Sequence, residues 1–172
     1  MPNIRPVNNK VLDIDLTSRE IKNLEISEQD RRQYLGGKGL ATKLLFEHIK
    51  TGIDPLSPDN IIVMMTGPTA GTPSPAGSRF TVMSKSPLTG IFASSYVGGK
   101  FGISLKKSGY DGLMVRGRSD RQVYISIDNG EVTIKDASES WGMDTYNFQE
   151  THKEEGDWVV IGPAGENLVR GS

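Results

Sequence analysis

Two segments of the chain, YLGGKGLATKL at 34–44 and YVGGKFGISLK at 96–106, repeat a tyrosine, an aliphatic residue, two glycines and a lysine 62 positions apart. A glycine pair ahead of a helix leaves backbone N–H groups uncovered, and a helix N-terminus attracts anions. Lys38 and Lys100 add positive charge at the two turns, so the ligand that suits them is a phosphate or another anion. Each turn taken alone also fits a helix start packed closely on a strand. The spacing matches neither a P-loop nor a dinucleotide-binding fingerprint. Arg79 follows SPAGS and opens a strand-like run; its planar fork of donors can grip phosphate in a bidentate way. Paired with a nearby carboxylate, the same arginine would be an ordinary surface residue.

Other reactive chemistry is scarce. The chain has no Cys, which excludes disulfides, thiolate metal sites and thiol nucleophiles. Its two histidines, His48 and His152, are far apart and lie in charged helical patterns, as solvated helix residues do. Asp13, Asp15, Asp111 and Asp128 alternate along strands or sit in turns, without forming a pair of catalytic carboxylates. Trp141, Trp158 and the tyrosines read as packing residues. A formal net charge of -1 argues against a nucleic-acid footprint over the whole surface. No apolar run approaches the length of a membrane span, and MPNIRPVNNK lacks the apolar stretch of a signal peptide; a cytoplasmic location is expected.

These groups must be positioned by elements that turn often. Twenty glycines and nine prolines among 172 residues make the pair about one residue in six, where roughly one in eight is ordinary. VLDIDL alternates as a half-buried strand, and Ile21–Ile26 returns as its hairpin partner. Ser27 with Asp30 resembles a capping box for a short helix toward Tyr34. Leu40, Leu44, Leu45 and Ile49 define a second helix with Gly52 as its stop. IIVMM reads as a buried strand, RFTVMSK as an alternating one, and the intervening TGPTAGTPSPAGS has no helical pattern. IFASSY leads into the second glycine pair, followed by a short helix ended by Gly109. Leu113 and Val115 open another strand. Asp128-Asn129-Gly130 is the turn of a hairpin between VYISI and VTIK. Asp144–Glu155 reads as a polar helix, and WVVIG as a buried strand. The sum is an α+β domain of two to three helices and about ten strands.

The ordered string of motifs is more specific than any one of them. YLGGKGLATKLL, DPLSPDN, TGPTAGTPSPAGSRFTVMSKSPLTG, GGKFGISLKKSGYDGLMVRGRS, VYISI and IGPAGENLV resemble, in that order, the N-terminal domain of the tungsten-containing aldehyde ferredoxin oxidoreductase family. The resemblance covers about residues 9–170 and implies a domain at 1–170, with Gly171-Ser172 as an appended end. It implies a β-rich platform with an internal pseudo-twofold repeat, on which rest two pterins that hold tungsten or molybdenum. It implies an enzyme that oxidises aldehydes to carboxylic acids and passes electrons to ferredoxin. Arg79 corresponds to the arginine at a pterin phosphate. Tyr96, Val97, Gly98, Gly99 and Lys100 form the cofactor-contacting turn, and the Tyr96 carbonyl approaches a magnesium ion joining the phosphates. Better-known members carry Asn-Ser at Tyr96-Val97. The [4Fe–4S] cluster and the acid–base groups belong to helical domains that follow in members of the family. Partners implied are those remaining domains, ferredoxin and a homo-oligomeric copy, with neither nucleic acid nor membrane. A stand-alone, non-catalytic subunit that binds an anion or a partner protein is the competing reading.

The glycine echo leads to the expectation that 34–44 and 96–106 are equivalent parts of two structural repeats. The absence of thiolate ligands leads to another: elemental analysis of the isolated 172-residue chain should find no stoichiometric iron or tungsten. Stoichiometric metal there would show that the domain holds a redox centre by itself.

Overall fold

The computed structural model describes residues 7–170; Gly171-Ser172 and the first six residues lie outside the described part. Among the described residues eight strands and five helices follow one another. They are β1 (Lys10–Asp15), β2 (Glu20–Glu25), α1 (Glu28–Tyr34), α2 (Gly37–His48), β3 (Ile61–Thr66), β4 (Phe80–Lys85), β5 (Phe92–Val97), α3 (Phe101–Lys107), β6 (Gly112–Arg116), β7 (Val123–Asp128), β8 (Glu131–Asp136), α4 (Thr145–His152) and α5 (Pro163–Glu166). The α+β class is as expected, with more helices and fewer strands than the sequence suggests. The additions come from single turns such as α5, where Pro163 sits at the first helical position and needs no N–H partner. WVVIG joins no ladder among the described residues, so it is not the strand expected.

Six strands form one mixed sheet in the order β2-β1-β6-β3-β4-β5, and β7-β8 make a separate hairpin. Only β1 and β6 run parallel; the other neighbours are antiparallel. Alternate residues of the central strands point to opposite faces and build two cores. Val11, Val63, Met65, Met83 and Met114 lie on one face under α2. Leu12, Ile14, Met64 and Leu113 lie on the other, under α3 and the β7–β8 hairpin. The helical spacing of Leu40, Ala41, Leu44 and Leu45 supplies the buried stripe of α2. Each of the three leucines contributes about 1.5–3 kcal/mol by leaving water. Ser27 caps α1 by accepting the Asp30 N–H at 3.0 Å, as the capping-box pattern anticipates. Among the described residues no helix is long and apolar enough to cross a membrane.

One ionic group ties these layers together. Asp111, fully buried just before β6, receives Lys106 Nζ of α3 on Oδ1 at 2.5 Å and Arg31 of α1 on Oδ2 at 2.5 Å. Backbone N–H groups of Asn8 and Asn9 donate to the same carboxylate. The Asp111 carbonyl accepts both the N–H and the hydroxyl of Thr66 at the end of β3, and its own N–H donates to the Lys10 carbonyl. Lys106 is only 2% exposed. Burial lowers the pKa of its ammonium below the ordinary lysine value of 10.5, with the Asp111 hydrogen bond and charge opposing the shift.

Removing one partner of this group should have very unequal effects. Asp111→Ala leaves two cations facing an apolar interior and should cost about 3–5 kcal/mol. Lys106→Met should cost less than half of that, because Asp111 keeps Arg31 and the two backbone donors. Urea unfolding of the two variants measures the difference. The Lys106 pKa also has a sign. The unfolded chain keeps this proton to 10.5 while the folded one releases it earlier, so unfolding takes up a proton between those values. The stability that Lys106 contributes therefore rises with pH through that window. The difference between wild type and Lys106→Met should grow as pH is raised toward 10.5.

Candidate functional site

The hairpin register sets the site. Phe80 pairs with Val97 and Thr66 with Phe80, so β3, β4 and β5 share one end. At that end Arg79 enters β4 and Gly98 leaves β5 as neighbours. Arg79 is exposed, and its side chain makes no hydrogen bond or ion pair with any described residue. Lys100, one residue before α3, is exposed and equally unpaired. A surface arginine neutralised by a carboxylate, the bland reading of Arg79, is therefore not what the structure contains. Tyr96 and Val97 close β5 and remain 57% and 36% exposed. All six sequence-predicted residues (Arg79, Tyr96, Val97, Gly98, Gly99 and Lys100) thus lie at one end of the sheet.

The two glycine pairs differ in what surrounds them. A side-chain carbon at Gly36 would meet Pro68 Cδ at 3.0 Å and the Thr66 carbonyl at 3.2 Å, and Gly39 lies against the Tyr34 carbonyl. That turn is closed by packing. At Gly98 and Gly99 the same carbon would meet nothing within 4 Å, and Gly99 has φ +97°. Here the backbone is bare and faces open space, as a turn that receives a ligand must. Both second glycines have positive φ, +50° at Gly37 and +97° at Gly99, so the echo places a left-handed glycine in each turn.

The echo does not extend to the flanking elements. Helix α1 leads into the first turn and strand β5 into the second. Helices α2 and α3 then pack on opposite faces of the sheet, while the strands they precede, β3 and β6, are antiparallel neighbours. A twofold that exchanged those strands would be normal to the sheet and would keep both helices on one face. A twofold that exchanges β3 with β6 therefore does not carry α2 onto α3, and the echo of 34–44 in 96–106 is a repeated turn between different flanking elements. The apolar core on both faces of the central strands is the physical reason, since each face needs its own helix.

A second concavity of about 550 Å³ lies between the α3 face of the sheet, the β7–β8 hairpin and the Trp158–Ile161 segment. Phe101, Leu105, Leu113, Ile125 and Trp158 are among its walls, and its charged lining residues are all acidic: Asp128, Glu155, Asp157 and Glu166. That lining disfavours an anion. His152 is not the solvated residue that its pattern suggests. Its ring nitrogens meet Glu155 at 2.9 Å and Ser140 at 3.3 Å, and its ring packs on Phe148 and Trp158.

Sequence reasoning missed the ionic group that fixes α1 and α3. Arg31, besides holding Asp111, donates to the Leu35 carbonyl at 2.8 Å. That contact steadies Leu35, whose φ of +63° is unusual for a leucine. The signal was faint: Lys106 stands four residues after Gly102 on the inward stripe of α3, a place where a lysine must find a partner.

Known proteins resemble the chain along nearly its whole length. Residues 11–172 match the family described as aldehyde ferredoxin oxidoreductase, N-terminal domain. The tungsten-containing aldehyde ferredoxin oxidoreductase of Pyrococcus furiosus is 41% identical over 91% of this chain and 27% of its own. The aliphatic sulfonate oxidoreductase WOR-like subunit of the same organism is 34% identical over 95% of this chain and 29% of its own. The solved active-site complex BamBC of benzoyl coenzyme A reductase superposes with a TM-score of 0.84 at 34% identity, covering 88% of this chain and 23% of that one. The chain therefore spans about a quarter of the length of the relatives it matches.

The contrast between the two turns has a direct test. Gly36→Ala forces a methyl against Pro68 and the Thr66 carbonyl and should cost about 1–3 kcal/mol by overpacking. Gly98→Ala meets no neighbour and should change stability by less than about 0.5 kcal/mol. Thermal or urea unfolding of the two variants gives the comparison, and equal losses would mean that both turns are structural.

Proposed function

The chain belongs to the aldehyde ferredoxin oxidoreductase family, matching its N-terminal domain, and on that premise we propose that residues 1–170 are the pterin-binding platform of a tungsten or molybdenum oxidoreductase. The observation that supports this reading is the Gly98-Gly99 turn, bare to solvent, beside the unpaired guanidinium of Arg79. A phosphate placed there receives bidentate donation from Arg79 and close backbone approach at the glycines, with the Lys100 charge at hand. Val97 and Tyr96 supply the adjoining backbone, and the Tyr96 carbonyl is a hard oxygen of the kind that magnesium takes.

The residues fit such a group chemically: the donors are cationic or backbone N–H, and the space beside them is open. When bound, the metal–dithiolene centre supplies the two-electron redox chemistry, and the protein supplies binding, orientation and electrostatics. In this domain Arg79 and Lys100 offset phosphate charge, while Gly98 and Gly99 let the backbone come close. Acid–base groups and the [4Fe–4S] cluster lie in the remaining domains. The whole enzyme, by this reading, is cytoplasmic, oxidises an aldehyde to a carboxylic acid and delivers the electrons to ferredoxin. The names of its relatives, tungsten-containing aldehyde ferredoxin oxidoreductases, support the tungsten, aldehyde and ferredoxin parts of that reading.

Arg79→Ala in the full-length enzyme should lower metal and pterin content at unchanged melting temperature of the cofactor-free protein. Loss of one charge-assisted contact costs about 1.5–3 kcal/mol of binding, whereas an exposed, unpaired arginine contributes little to folding. Metal analysis beside calorimetry measures both. Full cofactor occupancy with a lowered melting temperature would make Arg79 a structural residue and overturn the assignment.

A further inference from the structure

The two edges of the six-stranded sheet are built differently. β2 reads EIKNLE and carries Glu20, Lys22 and Glu25 along its length. Charged side chains are how natural proteins keep a free edge from pairing. β5, at the opposite edge, reads FASSYV, and all six of its residues are exposed. It has no charge and no proline, and its register with β4 is continuous over six pairs, so no bulge blunts it. Among the described residues its single neighbour is β4, which leaves an outer row of N–H and C=O groups that no described strand pairs. Phe92, Tyr96 and Val97 expose apolar surface there, continued by Leu88 and Ile91 in the preceding turn.

We infer that β5 is an interior strand of a wider sheet in the full-length protein, and that its missing neighbour is a β-strand from the part of the polypeptide outside this domain. The inference rests on the reading of the chain as one domain of a longer enzyme. Its relatives are several times longer, the matched region being 27% of one of them, so most of such a polypeptide lies outside this domain and is available to pack against it. The β2 edge is guarded by charge; the β5 edge is not. The strand that fits presents uncharged, small or apolar residues to Phe92 and Tyr96, because cross-strand pairs on one face stabilise a sheet when they match in this way. The small central residues Ala93, Ser94 and Ser95 leave room for layers on both faces.

The test is amide hydrogen exchange in the full-length enzyme, with cofactor bound and after its removal. Alternate β5 amides point at β4 and are protected in any case; the outward set is diagnostic. Those outward amides should exchange at least about a hundredfold more slowly than in a free peptide, as amides in a paired strand do. The protection should survive both cofactor removal and dilution. Fast exchange overturns the inference. Protection lost with the cofactor would assign the edge to the cofactor, and protection lost on dilution would assign it to a second copy of the chain; either result overturns it as well. Arg79→Ala, which tests the cofactor reading, should leave the outward amides unchanged, so the two readings fail separately.

Discussion

The buried carboxylate of Asp111 is the interaction on which the rest of the structure depends. A lone charge in an apolar interior is prohibitively costly, and the cost is met only when every neighbour is in place. Here the neighbours are the last turns of two helices, the start of the described chain and, through the Asp111 carbonyl, the end of β3. Helices α1 and α3 cannot shift without uncovering a charge. The Leu35 turn follows through Arg31, and the orientation of α3 behind the second glycine pair follows through Lys106. The group thus acts less as a source of stability than as a fixed point from which the site geometry is measured.

From that fixed point the two glycine turns acquire different duties. Both contain a glycine with positive φ and both precede a helix. The first is filled by Pro68 and the Thr66 carbonyl because α2 must lie close on β3 and β4 to bury Leu40, Leu44 and Leu45. The second stands at the end of an edge strand, where nothing of this domain covers it. The same local chemistry is spent on packing in one place and left free in the other. Arg79 belongs to the free one by register alone, being one residue outside the Phe80–Val97 pair.

Much of the architecture was legible in the chain because its signals are local. The Asp128-Asn129-Gly130 hairpin, the Ser27 cap and the leucine stripe of α2 depend on residues a few positions apart, and each appears where its pattern puts it. The failures are non-local. WVVIG has the composition of a strand, but a strand needs a partner, and no described segment pairs with it. His152 sits in a polar helical pattern, yet the aromatic rings of Phe148 and Trp158 turn it inward.

For the candidate site the division is similar. Sequence by itself determined which residue types could bind an anion, that thiolate chemistry is absent, and, through an ordered set of motifs, which family the chain belongs to. It also marked Gly37 and Gly99 as places where the backbone can take positive φ. Only the tertiary structure decided that Arg79 and Gly98 are neighbours, that the first turn is closed and the second open, and that Asp111 is an ionic hub rather than a turn residue. The physical reason is that burial and pairing are made across the sheet, between residues such as Arg31 and Asp111 that lie 80 positions apart. No periodicity or spacing along the chain records which of its charges will meet.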